Sequence, residues 1–470
     1  MNIVVLETSV VLFGLFTVGA VFGSLLNVCI YRLPREERFW RALRFLVYPP
    51  SHCPRCQERI KPYDNLPVVG WLILGGRCRN CRGSISVRYP LIEFMTATLF
   101  AALYWFEVPQ FLWTVASDSS VYHILGPTGL VGPRGISGAG GAAGEVWLSP
   151  IALLQCRYAV HLVLIVALIA ATFIDIDLRI IPDTVTLPAM AVGILANTIL
   201  GNVYLVPLWY QTPAMSTAAR MYGALIQPFF AVGEIPSWLV NWMNFVGVPA
   251  WMTAHPHWHG LCLSLAGIIV GGGSVWAVRI VGHWALKREA MGFGDVILMA
   301  MIGSFIGWQA TLIVFVLALL SAIVVVLPLW IVWRNHELPF GPYLSVGTLL
   351  LLMFARPIWP SFDTQFFAMG PLLVPLALIM AGTLAAMLFG WRSLRKRLGW
   401  EPAEPEFEEA WHAGDQLAYL AGEGTNDRQG QWPRCEWPGL VSGRGQTYEH
   451  LWRQGGGGHP VVPWQRNQRS

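Results

Sequence analysis

Charge is scarce in this chain: Asp, Glu, Lys and Arg make up only 12% of its 470 residues, about half the share usual in a soluble globular protein. Set beside a hydrophobic share of 55% and a mean hydropathy of +0.51, that shortage excludes an ordinary water-soluble domain. No Lys or Arg precedes the first apolar run. The run therefore lacks the positive start of a cleavable signal peptide and reads as a retained helix with its N-terminus outside. The chain also has no GxSxG elbow, no HExxH and no P-loop, which removes the sequence signatures of serine hydrolases, zinc proteases and nucleotide-binding ATPases.

What is present is a series of apolar runs, several near or beyond the ~18–20 residues that cross a bilayer core. They predict an all-α fold, a polytopic transmembrane helix bundle of about eight to nine spans. The expected helices are 8–30, 89–106, 150–174, 184–202, 260–281, 294–308, 311–333, 343–355 and 369–391, the eighth being short enough to be re-entrant. Between Arg32 and Arg88 stand twelve Lys/Arg against four acids, whereas 107–149 and 202–258 hold one basic residue each, Arg134 and Arg220. Basic loops stay in the cytoplasm. The segments 32–88, 175–183, 282–293 and 334–342 are thus expected inside, with insertions 107–149 and 203–258 outside.

The chain divides into a first helix (1–31), a cytoplasmic loop (32–88), a membrane core (89–356), an additional span (357–397) and an acidic, then Gly/Gln/Arg-rich tail (398–470) expected to be disordered. Glycine recurs at every third position from Gly126 to Gly144. The period is collagen-like, but too short and too poor in proline for a triple helix, so it reads as a flexible linker.

Cys53-Pro-Arg-Cys56 and Cys78-Arg-Asn-Cys81 are two CxxC pairs 21 residues apart. Each presents two thiolates from one tight turn, and together they offer a closed tetrahedral S₄ site for structural zinc. Disulfides do not suit a reducing cytoplasmic loop. Cys29, Cys156, Cys262 and Cys435 have no such spacing.

Carboxylates abutting apolar helices are expensive and need a reason. Asp175 follows an uninterrupted apolar run directly. Nearby Asp177 suits an Arg-paired or solvated helix end, and Asp183, after Pro182, suits a helix cap. Asp295 ends Gly292-Phe-Gly-Asp295, where two glycines allow close backbone approach. Both Asp175 and Asp295 fall on the expected cytoplasmic side. Two carboxyls meeting there would share a proton, one acting as base toward water and the other as acid toward a carbonyl, which is amide hydrolysis without a metal. A transporter or channel whose membrane-edge aspartates carry protons or cations is the rival reading, but no convincing repeat accompanies it. His255, His257 and His259 form a third polar cluster. It lies on the outer side with Trp238, Trp242, Trp251 and Trp258, which suit an interfacial belt.

Five stretches, taken in order, resemble the prepilin peptidase (type IV leader peptidase) family. They are Gly23-Ser-Leu-Leu-Asn-Val-Cys-Ile-Tyr-Arg-Leu-Pro34; the tetracysteine loop with Tyr63–Pro67 and Arg88–Glu93; Phe173–Asp177 with Ile181–Asp183; Gly292–Asp295; and Pro339–Tyr343. The resemblance implies a bacterial inner-membrane aspartic endopeptidase with Asp175 and Asp295 as its catalytic pair, facing the cytoplasm. It implies cleavage of basic leaders from type IV prepilins and the pseudopilins of type II secretion, and S-adenosylmethionine-dependent methylation of the new N-terminus. Asp64 and Glu93 occupy family positions in the loop region. The partners so implied are these precursors and membrane lipid, and not nucleic acid. Three departures stand out: Ile297 replaces a common lysine, leaving Lys287 or Arg288 as the nearby cations; 203–258 is inserted; and a span and tail are added. An inactive relative serving as a scaffold is the alternative those departures keep open.

Overall fold

The computed structural model describes residues 3–398 apart from 36–39, 42, 43, 45, 47, 49, 54, 109–149, 202, 227–235, 287–290 and 334–338. The Gly126–Gly144 repeat, Glu36, Glu37, Lys287, Arg288, Cys435 and the tail from 399 lie outside the described residues. Ten principal helices carry the fold: α1 (Ile3–Arg32), α2 (Arg88–Glu107), α3 (Pro150–Leu178), α4 (Asp183–Leu200), α5 (Pro213–Ile226), α6 (Ser237–Asn244), α7 (Pro256–Leu286), α8 (Phe293–Trp333), α9 (Gly341–Asp363) and α10 (Leu373–Arg397). Among the described residues there is no strand, only isolated β-bridges, so the all-α expectation holds.

Seven helices are long and apolar enough to cross a membrane, and eight if the bent α9 counts as one span. The chain is a multi-pass membrane protein. The sequence reading of nine differs at α8, where the expected spans 294–308 and 311–333 form one 41-residue element. At 1.5 Å per residue a straight helix of that length would run about 60 Å, twice a bilayer core. It does not run straight, because Gly307 breaks it with φ 78° and ψ 170°, a backbone state open to glycine and closed to most side chains. A Cβ on Gly271 would touch both the Met299 carbonyl and Thr311 Cγ2, so residues on either side of the break sit at one level of the bundle. The ninth span is therefore the second leg of α8. The expected 343–355 helix is likewise longer, continuing past a non-helical Phe354 to Asp363.

α7 packs along α8, α1 along α2 and α9 against α8, while α4 lies across α7 and α8 and α3 touches α1, α4 and α9. One apolar core runs through these elements from Leu26 and Ile92 to Leu351 and Trp359. The described residues of the 203–258 region include two packed helices. α5 and α6 pack on each other around Ala219, Leu239 and Trp242, and α5 reaches the 3₁₀ segment Phe367–Leu372. Trp242 is thus a core residue, not part of an interfacial belt. Trp238, Trp251 and Trp258 are exposed, as a belt requires.

Candidate active site

α3 ends just beyond Asp175. Arg179 adopts a left-handed φ of 55°, and its N–H closes on the Asp175 carbonyl at 2.9 Å. This is an αL cap, built with arginine where glycine is usual. Asp175 therefore sits in the last turn of a helix whose body is deeply packed, and it is 5% exposed. Asp295, in the first turn of α8, is 7% exposed. The two acids come from opposite ends of their helices, 120 positions apart by their numbers, and Asp295 lies within Coulombic reach of Asp175.

Three backbone segments converge on this pair. A Cβ placed on Gly341 would meet Asp175 Oδ2 at 2.5 Å and Ile181 Cδ1 at 3.2 Å, and one on Gly294 would meet Ile181 Cβ at 3.0 Å. Ile181 is thus a spacer between the turn that opens α8 and the turn that opens α9. Both turns can close on it because they carry glycine there. Asp175 Oδ2 is buried against the Gly341 backbone, in the niche that these turns form. Thr172 Oγ1 donates to Ser345 Oγ at 2.8 Å, tying α3 to α9 one turn further in.

The other acids of this region have separate roles. Asp177 is gripped by Arg88, Nη1 to Oδ1 at 2.6 Å and Nη2 to Oδ2 at 2.6 Å. Asp183 is the first residue of α4 and exposed. The preceding Pro182 holds the cap position without a side-chain bond, so Asp183 is not the cap that the sequence suggested. Its place in the first turn still suits the helix dipole. Ile297 is half-buried. A cation that sequence reasoning missed, Arg279, donates from Nε to the Met291 carbonyl at 3.1 Å and lies over the Phe293 ring, bracing the glycine turn that presents Asp295. An arginine inside an otherwise apolar span was the available signal.

The four cysteines do assemble. Their sulfurs all lie within 4.8 Å of one another, with Cys53–Cys81 at 3.8 Å and Cys56–Cys78 at 4.0 Å. A tetrahedron with metal–sulfur bonds of ~2.3 Å has edges of about 3.8 Å, so the donor set fits a four-thiolate metal site. The two halves repeat one design. Gln57 N–H bonds the Cys53 carbonyl and Cys53 N–H the Glu58 carbonyl, while Arg82 N–H bonds the Cys78 carbonyl and Cys78 N–H the Gly83 carbonyl. Gln57 and Arg82 both take positive φ to close their turns. Backbone amides of Cys81 and Asn80 lower the Cys78 thiol, while burial and the neighbouring thiols raise that of Cys81, so the four sulfurs share protons unevenly.

Asp64 and Glu93 are engaged in holding this loop. Asp64 accepts a forked bond from Arg79, whose guanidinium keeps that carboxyl below the usual carboxylate range. Glu93, buried in α2, accepts from the Val68 amide at 2.6 Å and from Asn27 of α1 at 3.5 Å. Two of the three clustered histidines have protein partners. His259 Nε2 accepts the Leu208 amide, and His257 contacts the Thr198 carbonyl.

Comparison with known proteins finds similarity to one family. A family model described as the bacterial peptidase A24 N-terminal domain matches residues 17–106, and one described as the type IV leader peptidase family matches 230–327. Asp295 falls inside the second match and Asp175 between the two. The prepilin leader peptidase/N-methyltransferase of Aeromonas hydrophila is 28% identical over 372 residues, covering 75% of this chain and 93% of its own. That of Pseudomonas aeruginosa is 27% identical over 361 residues, covering 72% and 89%. The type 4 prepilin-like proteins leader peptide-processing enzyme of Escherichia coli is 28% identical over 343 residues, covering 70% and 88%. No solved structure matches the chain. With both family models in order and relatives alignable along most of their length, the chain is similar to the type IV leader peptidase family between residues 17 and 327.

Proposed function

We propose that the chain is a prepilin peptidase that cuts basic leader peptides from type IV prepilins and pseudopilins at the cytoplasmic face of a bacterial inner membrane. The observation that carries this reading is the burial of Asp175 and Asp295 in one niche, between the turns that open α8 and α9. One carboxylate takes a proton from water as its oxygen bonds to the scissile carbonyl carbon. The other carboxyl gives its proton to the carbonyl oxygen. Collapse of the tetrahedral adduct breaks the C–N bond, and the leaving amine takes up a proton from the dyad. The basic 32–88 loop supports a cytoplasmic niche by the positive-inside bias, where a leader's charged segment would meet the apolar helix that follows it.

The tetracysteine loop holds zinc as a closed structural site, because four thiolates leave no coordination position for substrate or water. The relatives' names include an N-methyltransferase activity for those proteins; in this chain S-adenosylmethionine would supply the methyl group for the newly exposed N-terminal amine. Among the described residues nothing marks out where that donor binds.

The test is cleavage of a pilin precursor by membranes carrying Asp175→Asn or Asp295→Asn. Each is expected to abolish processing, and full activity in either would contradict the reading. Mass spectrometry of the mature N-terminus in the same experiment reports the cut site and any added methyl group.

A further inference from the structure

Two charges in this protein stand at the wrong ends of their helices. Arg88 is the first residue of α2, where the helix dipole is positive, and Asp177 is in the last turn of α3, where it is negative. Each opposes its own helix. They meet in a two-pronged ion pair with both N–O distances at 2.6 Å. The same guanidinium lies over the Phe173 ring, 5.2 Å from its centroid, and reaches the Phe173 carbonyl at 3.5 Å. Phe173 and Asp177 are four residues apart, hence on one face of α3. Asp175, midway between them, lies about 200° round the helix.

From this geometry we infer that Arg88 is a positioning residue for hydrolysis: by gripping the Phe173–Asp177 face of α3, it turns Asp175 toward Asp295 and couples the tetracysteine loop to the active site. The inference rests on the proposed dyad. The mechanical route is short. Arg88 follows the second cysteine turn by a few residues, and the start of α2 is held to that loop by Glu93, which accepts the Val68 amide. The far end of the grip is the αL-capped terminus of α3, where the Arg179 amide closes on the Asp175 carbonyl. Buried Ile174 and Leu178 and the Thr172–Ser345 bond hold the body of α3, and the Arg88 grip adds a charged hold at its end. The planar fork and the ring stacking suit arginine and not lysine.

The test uses purified full-length protein and a pilin precursor with a basic leader. Arg88→Gln and Asp177→Asn are each expected to lower kcat roughly 10- to 100-fold, the cost of a misplaced reacting group, with KM little changed because substrate binding is not what they supply. The double variant Arg88→Gln/Asp177→Asn removes both misplaced charges, so its thermal unfolding midpoint stays at or above that of the parent while kcat stays low. Arg88→Asp/Asp177→Arg restores an ion pair and is expected to recover kcat roughly tenfold over the single variants. Arg88→Lys keeps the charge without the fork and remains impaired.

Parental kcat in the double neutral variant would overturn the inference, as would a charge swap no better than the singles. Asp175→Asn runs alongside. If it is inactive while Arg88→Gln cleaves at the full rate, only this inference fails. If Asp175→Asn itself cleaves, the dyad reading fails first.

Discussion

At the scale of single residues, the site is defined as much by what is small as by what is charged. Gly341 has no room for a methyl group, since a Cβ there would meet Asp175 Oδ2 at 2.5 Å and Ile181 Cδ1 at 3.2 Å. Gly341→Ala is therefore expected to push the acid away from its partner and lower precursor cleavage roughly 100-fold, without loss of protein from the membrane, as a cleavage assay with matched immunoblots will report. The cysteines obey a different rule, because each is one of four ligands and none can be spared. Cys81→Ser is expected to cut bound metal well below one ion per chain and to open the 50–86 loop to protease, both measurable on purified protein. These positions were legible in the sequence: CxxC spacing and a glycine-flanked aspartate each carry a local pattern. Arg88 and Asp177 were not legible as a pair, because 89 positions separate them and only folding brings their charges together.

At the scale of elements, membrane helices are held together by a few buried polar contacts set in a uniform apolar background. The clearest joins α2 to α3. Glu107, Arg157 and His161 are all buried, with Arg157 Nε and His161 Nδ1 each 2.8 Å from Glu107 Oε1. Replacing Glu107 with Leu leaves a buried guanidinium without its counter-charge and should cost about 3–5 kcal/mol. Glu107→Leu combined with Arg157→Met should cost distinctly less. Unfolding in detergent, followed by helical circular dichroism, compares the two. Composition placed Glu107 at the edge of an outside insertion and gave Arg157 no role, because hydropathy marks where a helix runs and not which face it buries. The break in α8 was half legible. Apolar content stopped near Gly307 for a residue or two, which located the turn. Gly307 then separates the two legs, as the division between 294–308 and 311–333 anticipated.

At the scale of the whole molecule, the catalytic bundle and the added C-terminal span differ in how they are held. None of the most apolar window in Phe367–Trp391 is buried, yet Phe367 and Ala368 just before α10 are fully packed, and Gly370 lies against the Trp242 ring. Truncation after Leu372 is therefore expected to leave precursor cleavage within about threefold of the parent, since no catalytic contact is lost. Truncation before Phe362 should destabilise the outer cap formed by α5 and α6. The family resemblance foretold the core because its motifs lie at helix ends that converge. It said nothing of the 203–258 cap or the added span, whose packing rests on apolar contacts that many sequences could make.

The most direct measurement of the central claim is proximity of the two acids in the membrane. In chain carrying Asp175→Cys and Asp295→Cys, with Cys29, Cys156, Cys262 and Cys435 replaced, a short bifunctional thiol reagent should join positions 175 and 295, as peptide mass spectrometry of native membranes would show. Ile181→Cys with Gly294→Cys is the positive control, their Cβ positions being 3.0 Å apart. Efficient linkage of both pairs is the predicted result. Linkage of the control alone, with 175 and 295 never joined, would contradict the account.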